Sequence, residues 1–314
     1  MTTFNVLKIN QLKQQLSRFD PTSDETKASP LLRHYLDFYR LPTPCKQLSV
    51  SVGTVAVNQT AIFTAAWQPP EPVGTALVVH GYMDHLGLYN HLIRFLLARN
   101  LAVLCCDLPG HGLSGGESAY IKDFANYSAV IEEMVSICQQ KFPAPLYGLG
   151  QSMGGAILLK HLINHPPGVN YCFKRLNLFA PLLHPKAWST SRRLLPLVRP
   201  FKKSIKRVFR PSSYDQEFLD FLRYQDPLQP LTIPIPWLVA VDRWAQEFEA
   251  SVGSDFEVNL IQGNADKTLD WKYNLEAFKN KLPNLNLHMI DNANHHMVNE
   301  IEPLRRKIFE AIEL

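Results

Sequence analysis

Leu146-Tyr-Gly-Leu-Gly150-Gln-Ser152-Met-Gly-Gly155-Ala-Ile-Leu-Leu-Lys160 is the stretch that decides the fold. Pro145 to Leu149 reads as a short apolar strand and Gly154 to Asn164 as a helix. Between them, Gly150-Gln-Ser-Met-Gly154 has the G-x-S-x-G pattern in the strand–turn–helix setting that the pattern requires. The glycines flank a turn so sharp that its central residue is strained and its side chain is thrust outward. The N–H of Met153 then lies at a helix N-terminus, where it faces an anion. Ser152 is the candidate nucleophile; the plain alternative is a serine that caps a helix in a glycine turn.

The same rhythm extends outward from this turn. Upstream, Ala76-Leu-Val-Val-His80 and Leu101 to Cys106 are apolar runs, followed by helical periodicity over Leu88 to Arg99 and Phe124 to Gln140. Downstream come Leu176 to Phe179, Phe256 to Ile261, a helix near Trp271 to Lys281, Leu285 to Ile290 and a last helix over Pro303 to Leu314. Strands alternating with helices predict an α/β fold with a mostly parallel sheet and helices on both faces. Two β-rich runs, Leu48 to Val57 and Thr60 to Trp67, precede this region as an antiparallel pair, with the alternation slipping phase at Gly53. The alternation stops between Leu183 and Asp255, a stretch with several prolines and three tryptophans that reads as an inserted helical cap. The expected organisation is an N-terminal extension over 1–46, a core over 47–182 and 256–314, and a cap over 183–255. The extension has helical spacing over residues 5–19, a polar break from Asp20 to Lys27 and a short helix near Leu31 to Tyr39.

Composition narrows the classes of function. The chain has 314 residues, 46% of them apolar and 19% charged, which is ample for a large core and too little charge for disorder. No run of 18 apolar residues exists, so no membrane-spanning helix is expected. The N-terminus has no signal-peptide pattern, and the expected location is cytoplasmic, with membrane association. Five cysteines, an odd number without a CxxC pair, argue against a disulfide framework or a zinc site. Cys105 and Cys106, adjacent in an apolar strand, read as buried free thiols on opposite faces. Residues 182–210 hold nine Lys/Arg and no acid, whereas elsewhere 28 acidic residues outnumber 23 basic ones.

A serine hydroxyl needs a base to act as a nucleophile. Late in the chain, Asp291-Asn-Ala-Asn-His295-His296 leaves the last strand, and His295 is favoured over its neighbour His296. An acid that fixes the imidazole tautomer is expected after the preceding strand. Gly263-Asn-Ala-Asp266-Lys-Thr-Leu-Asp270 offers two: Asp266 sits in the tight loop, while Asp270 is placed to cap the following helix. The chain order Ser152, Asp266, His295 is that of the α/β-hydrolase class. Gly81, after the strand ending at His80, lets the N–H of Tyr82 face the site opposite Met153, giving two oxyanion donors. His80 is read as a brace for that turn. Asp107 to Gly116 lacks the Gly-Lys-Ser/Thr ending of a phosphate loop and is read as a structural loop beneath the site.

With these residues in hand, the sequence resembles a family. His80-Gly-Tyr-Met-Asp-His85, Asp107-Leu-Pro-Gly-His-Gly-Leu-Ser-Gly-Gly116, Gly150-Gln-Ser-Met-Gly-Gly155, Gly263-Asn-Ala-Asp266 and Asn292-Ala-Asn-His295 look like the monoacylglycerol lipase and lysophospholipase L2 group of α/β-hydrolases, over roughly residues 48–314. The resemblance implies Ser152 as nucleophile, Asp266 as acid, His295 as base and the N–H groups of Tyr82 and Met153 as oxyanion hole, with no cofactor and no metal. It also implies carboxylic esters of acyl lipids as substrates. A small-ester esterase, a thioesterase or a serine aminopeptidase on the same machinery is the alternative, with Asp215, Glu217 and Asp220 as candidate amine binders. The chain departs from the family at Tyr82, where a smaller residue is usual, at Asp84, where Glu is usual, and at Asn292, where Gly is usual. Tyr82 is expected to narrow the site or to hydrogen-bond a head group.

Pro200 to Pro211 predicts a basic amphipathic helix with Phe201, Ile205, Val208 and Phe209 on one face. It suits either peripheral contact with an anionic membrane or a cap helix packed over the site with its charges in water. No nucleic-acid motif accompanies the charge, and no nucleic-acid partner is expected.

Overall fold

The computed structural model describes residues 4–23, 29–165 and 171–314. Residues 24–28, which take in half of the polar break read between Asp20 and Lys27, lie outside the described residues. Two helices open the chain, α1 (Val6–Gln15) and α2 (Pro30–Phe38). The Asn5 side chain accepts the Lys8 N–H at the start of α1, and Ser29 accepts the Leu32 N–H at the start of α2. There follow β1 (Ser49–Val57), β2 (Thr60–Gln68), β3 (Thr75–Val79), α3 (Asn90–Leu97), β4 (Ala102–Cys106), α4 (Ala125–Lys141), β5 (Leu146–Gln151), α5 (Met153–Ile163) and β6 (Arg175–Phe179). The chain then forms α6 (Trp188–Val198), β7 (Ser204–Lys206), α7 (Gln216–Asp220), β8 (Thr232–Pro234) and α8 (Ile235–Ala250). It closes with β9 (Val258–Gly263), α9 (Trp271–Lys281), β10 (Leu285–Ile290) and α10 (Glu302–Glu310).

Eight strands form one sheet in the order β1-β2-β4-β3-β5-β6-β9-β10, and every pair from β4 to β10 is parallel. β1, β2 and β4 pair antiparallel, as the first two runs predict. β3, β4 and β5 are buried along their whole length, which is why they show no polar alternation. Two apolar layers result. Cys106 belongs to the layer that holds buried side chains of α4, α5, α8 and α9, and Cys105 to the layer that holds those of α1, α2, α3 and α10. Both thiols are buried and free.

The phase slip at Gly53 has a steric cause. The N-terminal segment crosses β1 there: the Thr54 N–H donates to Ser17 O and the Phe19 N–H to Thr54 O. A Cβ on Gly53 would stand 2.6 Å from Phe19 Cα, so only glycine lets the crossing backbone approach. Phe4, Ile9, Leu12, Leu32, Tyr35 and Leu36 are buried, so the N-terminal helices cover one face of the sheet.

The segment from Pro200 to Pro211 is not a helix. Ser204-Ile-Lys206 is a strand paired antiparallel with Thr232–Pro234, Ile205 facing Ile233. Burial there follows a period of two: Ile205, Arg207 and Phe209 turn inward, while Phe201 and Val208 are 87% and 69% exposed. The Arg207 guanidinium lies 4.3 Å from the Phe209 ring and donates to Gln229 Oε1 at 2.6 Å and Pro230 O at 3.2 Å. Non-local strand pairing and these arginine bonds override the local helical spacing.

Candidate active site

β5 lies in the middle of the sheet, and the candidate residues lie at the C-terminal ends of parallel strands, where α/β sheets carry their sites. Ser152 separates β5 from α5 at φ +53° and ψ −111°, a conformation costing about 1–3 kcal/mol that persists only where its surroundings enforce it. Its N–H donates to Phe179 O at 2.8 Å. A Cβ on Gly150 would meet Gly154 C at 2.6 Å, and one on Gly154 would meet Val79 O at 2.1 Å. Both flanking glycines are therefore required by close backbone approach.

Ser152, Asp266 and His295 come together. His295 Nε2 is 2.9 Å from Ser152 Oγ, and His295 Nδ1 is 2.8 Å from Asp266 Oδ2. With the serine proton donated to Nε2 and Nδ1–H donated to the carboxylate, the imidazole is set to accept a proton. The loops after β9 and β10 are tied to each other: the Ala265 N–H donates to Ala293 O at 3.1 Å and the Asn292 N–H to Asn264 Oδ1 at 2.8 Å. Asn292 stands at φ +63°, a left-handed position that Asn tolerates better than most residues, which accounts for its place where Gly is usual. Gln151 Nε2 donates to His295 O at 2.8 Å and fixes that loop to the nucleophile turn.

Burial alone would push the Asp266 carboxyl up. The His295 charge, the hydrogen bond to it and the N–H groups of Thr268 and Leu269 outweigh burial and hold it below the usual range. Burial would likewise depress His295, but the Asp266 charge and hydrogen bond raise it above its ordinary value. Asp270 stands at the N-cap of α9, but its side chain makes no capping bond, and only its carbonyl oxygen accepts the Asn274 N–H.

The turn after β3 faces the nucleophile, and a Cβ on Gly81 would lie 3.5 Å from Ser152 Cβ. Among the described residues, the Tyr82 and Met153 N–H groups are not spent on another protein group. A buried chain holds the turn: the Gly81 N–H donates to Tyr89 Oη at 2.9 Å, and the Tyr89 hydroxyl donates to Asp84 Oδ2 at 3.0 Å. His296 turns away from Ser152, its Nε2 lying 3.2 Å from Asp84 Oδ2. His80 braces the turn, accepting the Leu108 N–H at Nε2 (2.9 Å) while its Nδ1 reaches Gly81 O at 2.7 Å. Burial, with His111 beside it, pulls His80 down to about 3, so it stays neutral. Asp107 accepts the N–H groups of Leu86 and Leu113, both at 2.7 Å, so its loop underpins the site without cradling a phosphate.

Tyr82 does not offer its hydroxyl to a head group. That hydroxyl donates to Ala119 O at 3.0 Å, and the ring stacks on Trp237 of α8 with centroids 3.4 Å apart. The cap acids are also committed: Asp215 caps α7, Glu217 pairs with Arg40 and Asp220 accepts from Gln216. A groove of about 1130 Å³ opens between the N-terminal helices and the cap, lined in part by Phe4, Phe38, Phe218, Phe221 and Tyr224. None of Ser152, Asp266 or His295 lines it. Ser152 and His295 are each 8% exposed, so the site is covered.

Three residues escaped the sequence reading. Asp226, from the cap, pairs with His85 at 3.0 Å and accepts from Tyr39 Oη at 2.7 Å and Gln229 Nε2 at 2.7 Å, joining oxyanion loop, cap and N-terminal segment. Glu300 accepts the N–H groups of Asn294 (2.6 Å) and Tyr214 (2.8 Å), and Tyr89 anchors Gly81. Each joins residues far apart in the chain, and no local pattern marks them. The ring of His85 and the carboxyl of Asp226 are fully buried. Burial would lower His85, but Asp226 raises it; burial would raise Asp226, but His85 lowers it. The Asp226 share of stability is thus present above the ordinary value of 3.8 and lost as pH falls below it. The His85 share is present below 6.5 and lost as pH rises through the raised value. Asp226→Ala leaves the buried His85 ring and three further donors, the Tyr39 hydroxyl, the Gln229 amide and the Leu228 N–H, without their acceptor. We expect it to destabilise the fold by about 3–5 kcal/mol, read by urea denaturation at pH 6.

A sheet of this order, with a serine at a strained strand–helix turn and Asp and His after the following strands, defines an α/β-hydrolase. Residues 70–302 match the family described as serine aminopeptidase, S33, and the chain belongs to that family. It is 33% identical over 112 residues to a monoacylglycerol lipase of Mycolicibacterium smegmatis, covering 35% of this chain and 40% of that one. It is 35% identical over 107 residues to human monoglyceride lipase, covering 33% and 35%. The chain thus spans less than half the length of these two relatives. In fold it is similar to a soluble variant of Saccharomyces cerevisiae monoglyceride lipase, with TM-score 0.71, 18% identity and coverage of 86% of this chain and 96% of that one.

Proposed function

We propose that this protein is a serine hydrolase that cleaves carboxylic esters of acyl lipids, monoacylglycerols or lysophospholipids, through an acyl-enzyme on Ser152. The observation that carries the reading is the continuous relay from Ser152 Oγ through His295 to Asp266 at 2.9 and 2.8 Å. Ser152 Oγ attacks the ester carbonyl as His295 Nε2 takes its proton, and the N–H groups of Tyr82 and Met153 receive the oxyanion. His295 returns the proton to the leaving alcohol, then activates the water that releases the fatty acid. The reaction so written uses no metal and no organic cofactor. The lipid class is supported by the relatives named above.

Ser152 and His295 are buried, and displacement of part of the cap would let an acyl chain reach them. Of the cap as read over 183–255, residues 184–186 stay with the core, since the Lys186 N–H donates to Thr268 O and the Asp270 N–H to His184 O, so the part proposed to move lies within 187–234. α8 stays with the core, because its Trp244 Nε1–H donates to Leu182 O and its Glu247 pairs with Lys160 of α5. Among the described residues no helix is long and apolar enough to cross a membrane. Peripheral contact is supported instead by exposed Phe201 and Val208 beside Lys202, Lys203, Lys206 and Arg210, now on a strand edge. The buried free thiols suit a cytoplasmic, reducing setting.

An acyl chain-length series of p-nitrophenyl esters tests the reading. The expected profile peaks at medium or long chains; activity confined to acetate and butyrate would point to a small-ester esterase, and none to a peptidase or another acyl chemistry. Membrane contact is tested by co-sedimentation with anionic vesicles. Charge reversal at Lys202, Lys203 and Lys206 together is expected to weaken binding on the order of 100-fold, and unchanged binding would remove this edge from the contact.

A further inference from the structure

α5 begins at the nucleophile turn, and its far end carries a second cluster of chemistry-bearing side chains. Glu132 of α4, His161 of α5 and His165 just beyond α5 each bring a donor atom within 4.8 Å of the other two. His161 and His165 are four residues apart, the spacing that stacks side chains on one helix face, and their rings lie 4.5 Å apart. His165 Nδ1 faces a carbonyl and so donates, and His161 Nδ1 faces a hydroxyl that can accept from it. His161 Nδ1 is 2.6 Å from Tyr171 Oη, and His165 Nδ1 is 2.7 Å from His161 O. A ring whose Nδ1–H donates to an oxygen keeps its Nε2 lone pair free, and metal-ligating histidines are usually oriented by such a bond.

The second observation concerns His161 itself. The residue is 1% exposed, and its Nε2 points to Glu132 Oε1 at 3.3 Å, yet among the described residues that nitrogen has no hydrogen-bond partner. A buried polar atom left unpaired is costly, and native structures contain few. A cation between this nitrogen and the carboxylate would satisfy both. The donor set, two imidazole nitrogens and one carboxylate oxygen, suits a borderline divalent ion, with water completing the coordination.

We propose that Glu132, His161 and His165 form a binding site for a divalent transition-metal ion, zinc being the best match, that joins α4 to the end of α5. The site is structural. It lies at the opposite end of α5 from Ser152, and the ester chemistry does not pass through it. No cysteine pair marks the site in the sequence, from which no metal is expected; the set takes one ligand from each of two helices and one from the turn beyond.

The test uses the full-length protein, treated with chelator and then titrated with Zn²⁺ by calorimetry, with Co²⁺ absorption as a spectroscopic probe. We expect one ion per chain, a rise in Tm on binding and a visible Co²⁺ band of low coordination number. His165→Ala and Glu132→Gln, both at surface-accessible positions, abolish the one-to-one phase. Tyr171→Phe keeps every ligand and removes only the bond to Nδ1, and is expected to weaken binding about 10–100-fold. Ester hydrolysis stays at the wild-type rate in all three. No binding to the wild-type protein, or Zn²⁺ binding that His165→Ala and Glu132→Gln leave intact, would overturn the site.

Discussion

Replacing Ser152 with alanine is expected to lower kcat for the best p-nitrophenyl ester by about 10⁶-fold, the scale on which losing the serine disables other triads. KM and the far-ultraviolet circular dichroism should change little, because the substitution removes one oxygen. The strained φ of +53° is imposed by the backbone bonds to Phe179 O and by the packed glycines, not by the hydroxyl. Steady-state kinetics with titrated active sites checks it. Residual activity within 100-fold of wild type would assign the nucleophile elsewhere.

Asp266→Asn is expected to cost about 10⁴-fold in kcat while leaving the site's shape intact. The carboxylate accepts from His295 Nδ1–H, whereas an amide can present its NH₂ there and favour the tautomer that cannot take the serine proton. The substitution also carries a pH signature. In the wild type, Asp266 raises His295 above 6.5, so kcat/KM is lost as pH falls through that raised value. Without the carboxylate, burial dominates and the imidazole is depressed, so the acid limb moves to lower pH even as the plateau collapses. A pH–rate profile from 4.5 to 9 reads both effects. An unchanged acid limb would mean that Asp266 does not govern His295.

Much of this site could be read from the sequence because its parts are local. Strand, turn and helix around Ser152 occupy consecutive residues, and Asp266 and His295 follow strands that the parallel topology lays side by side. Gly53 illustrates a partial reading. The interruption in β1 is visible in the alternation, but its cause, the backbone of Phe19, lies on a different part of the chain. The stretch 200–211 departs from its expected helix for the same physical reason. Its helical spacing is a local property, whereas its strand depends on residues 232–234 and its inward arginine on Gln229 and Pro230. The His85–Asp226 pair joins residues 141 positions apart, and nothing near either one announces the other. Local patterns thus pointed to the three residues that lie within hydrogen-bond reach of one another, and non-local contacts determined how the segment after Leu183 is fastened.

That fastening has a functional side. The cap is attached to the oxyanion loop at two places, Trp237 on Tyr82 and Asp226 on His85. The first belongs to α8, which stays with the core, and the second to the part proposed to move. On the proposed reading, opening the cap would break the buried Asp226 pair and leave the Tyr82 stack, so the proposed oxyanion donor at Tyr82 would keep its support while substrate enters.

The most direct test of an acyl-enzyme on Ser152 is labelling with a fluorophosphonate followed by intact-mass and peptide mass spectrometry. One adduct per chain is expected, located on Ser152, absent from Ser152→Ala and slowed as pH falls below the raised His295 value. A wild-type protein that takes up no label, or takes it on another residue, would contradict the assignment of Ser152 as the nucleophile.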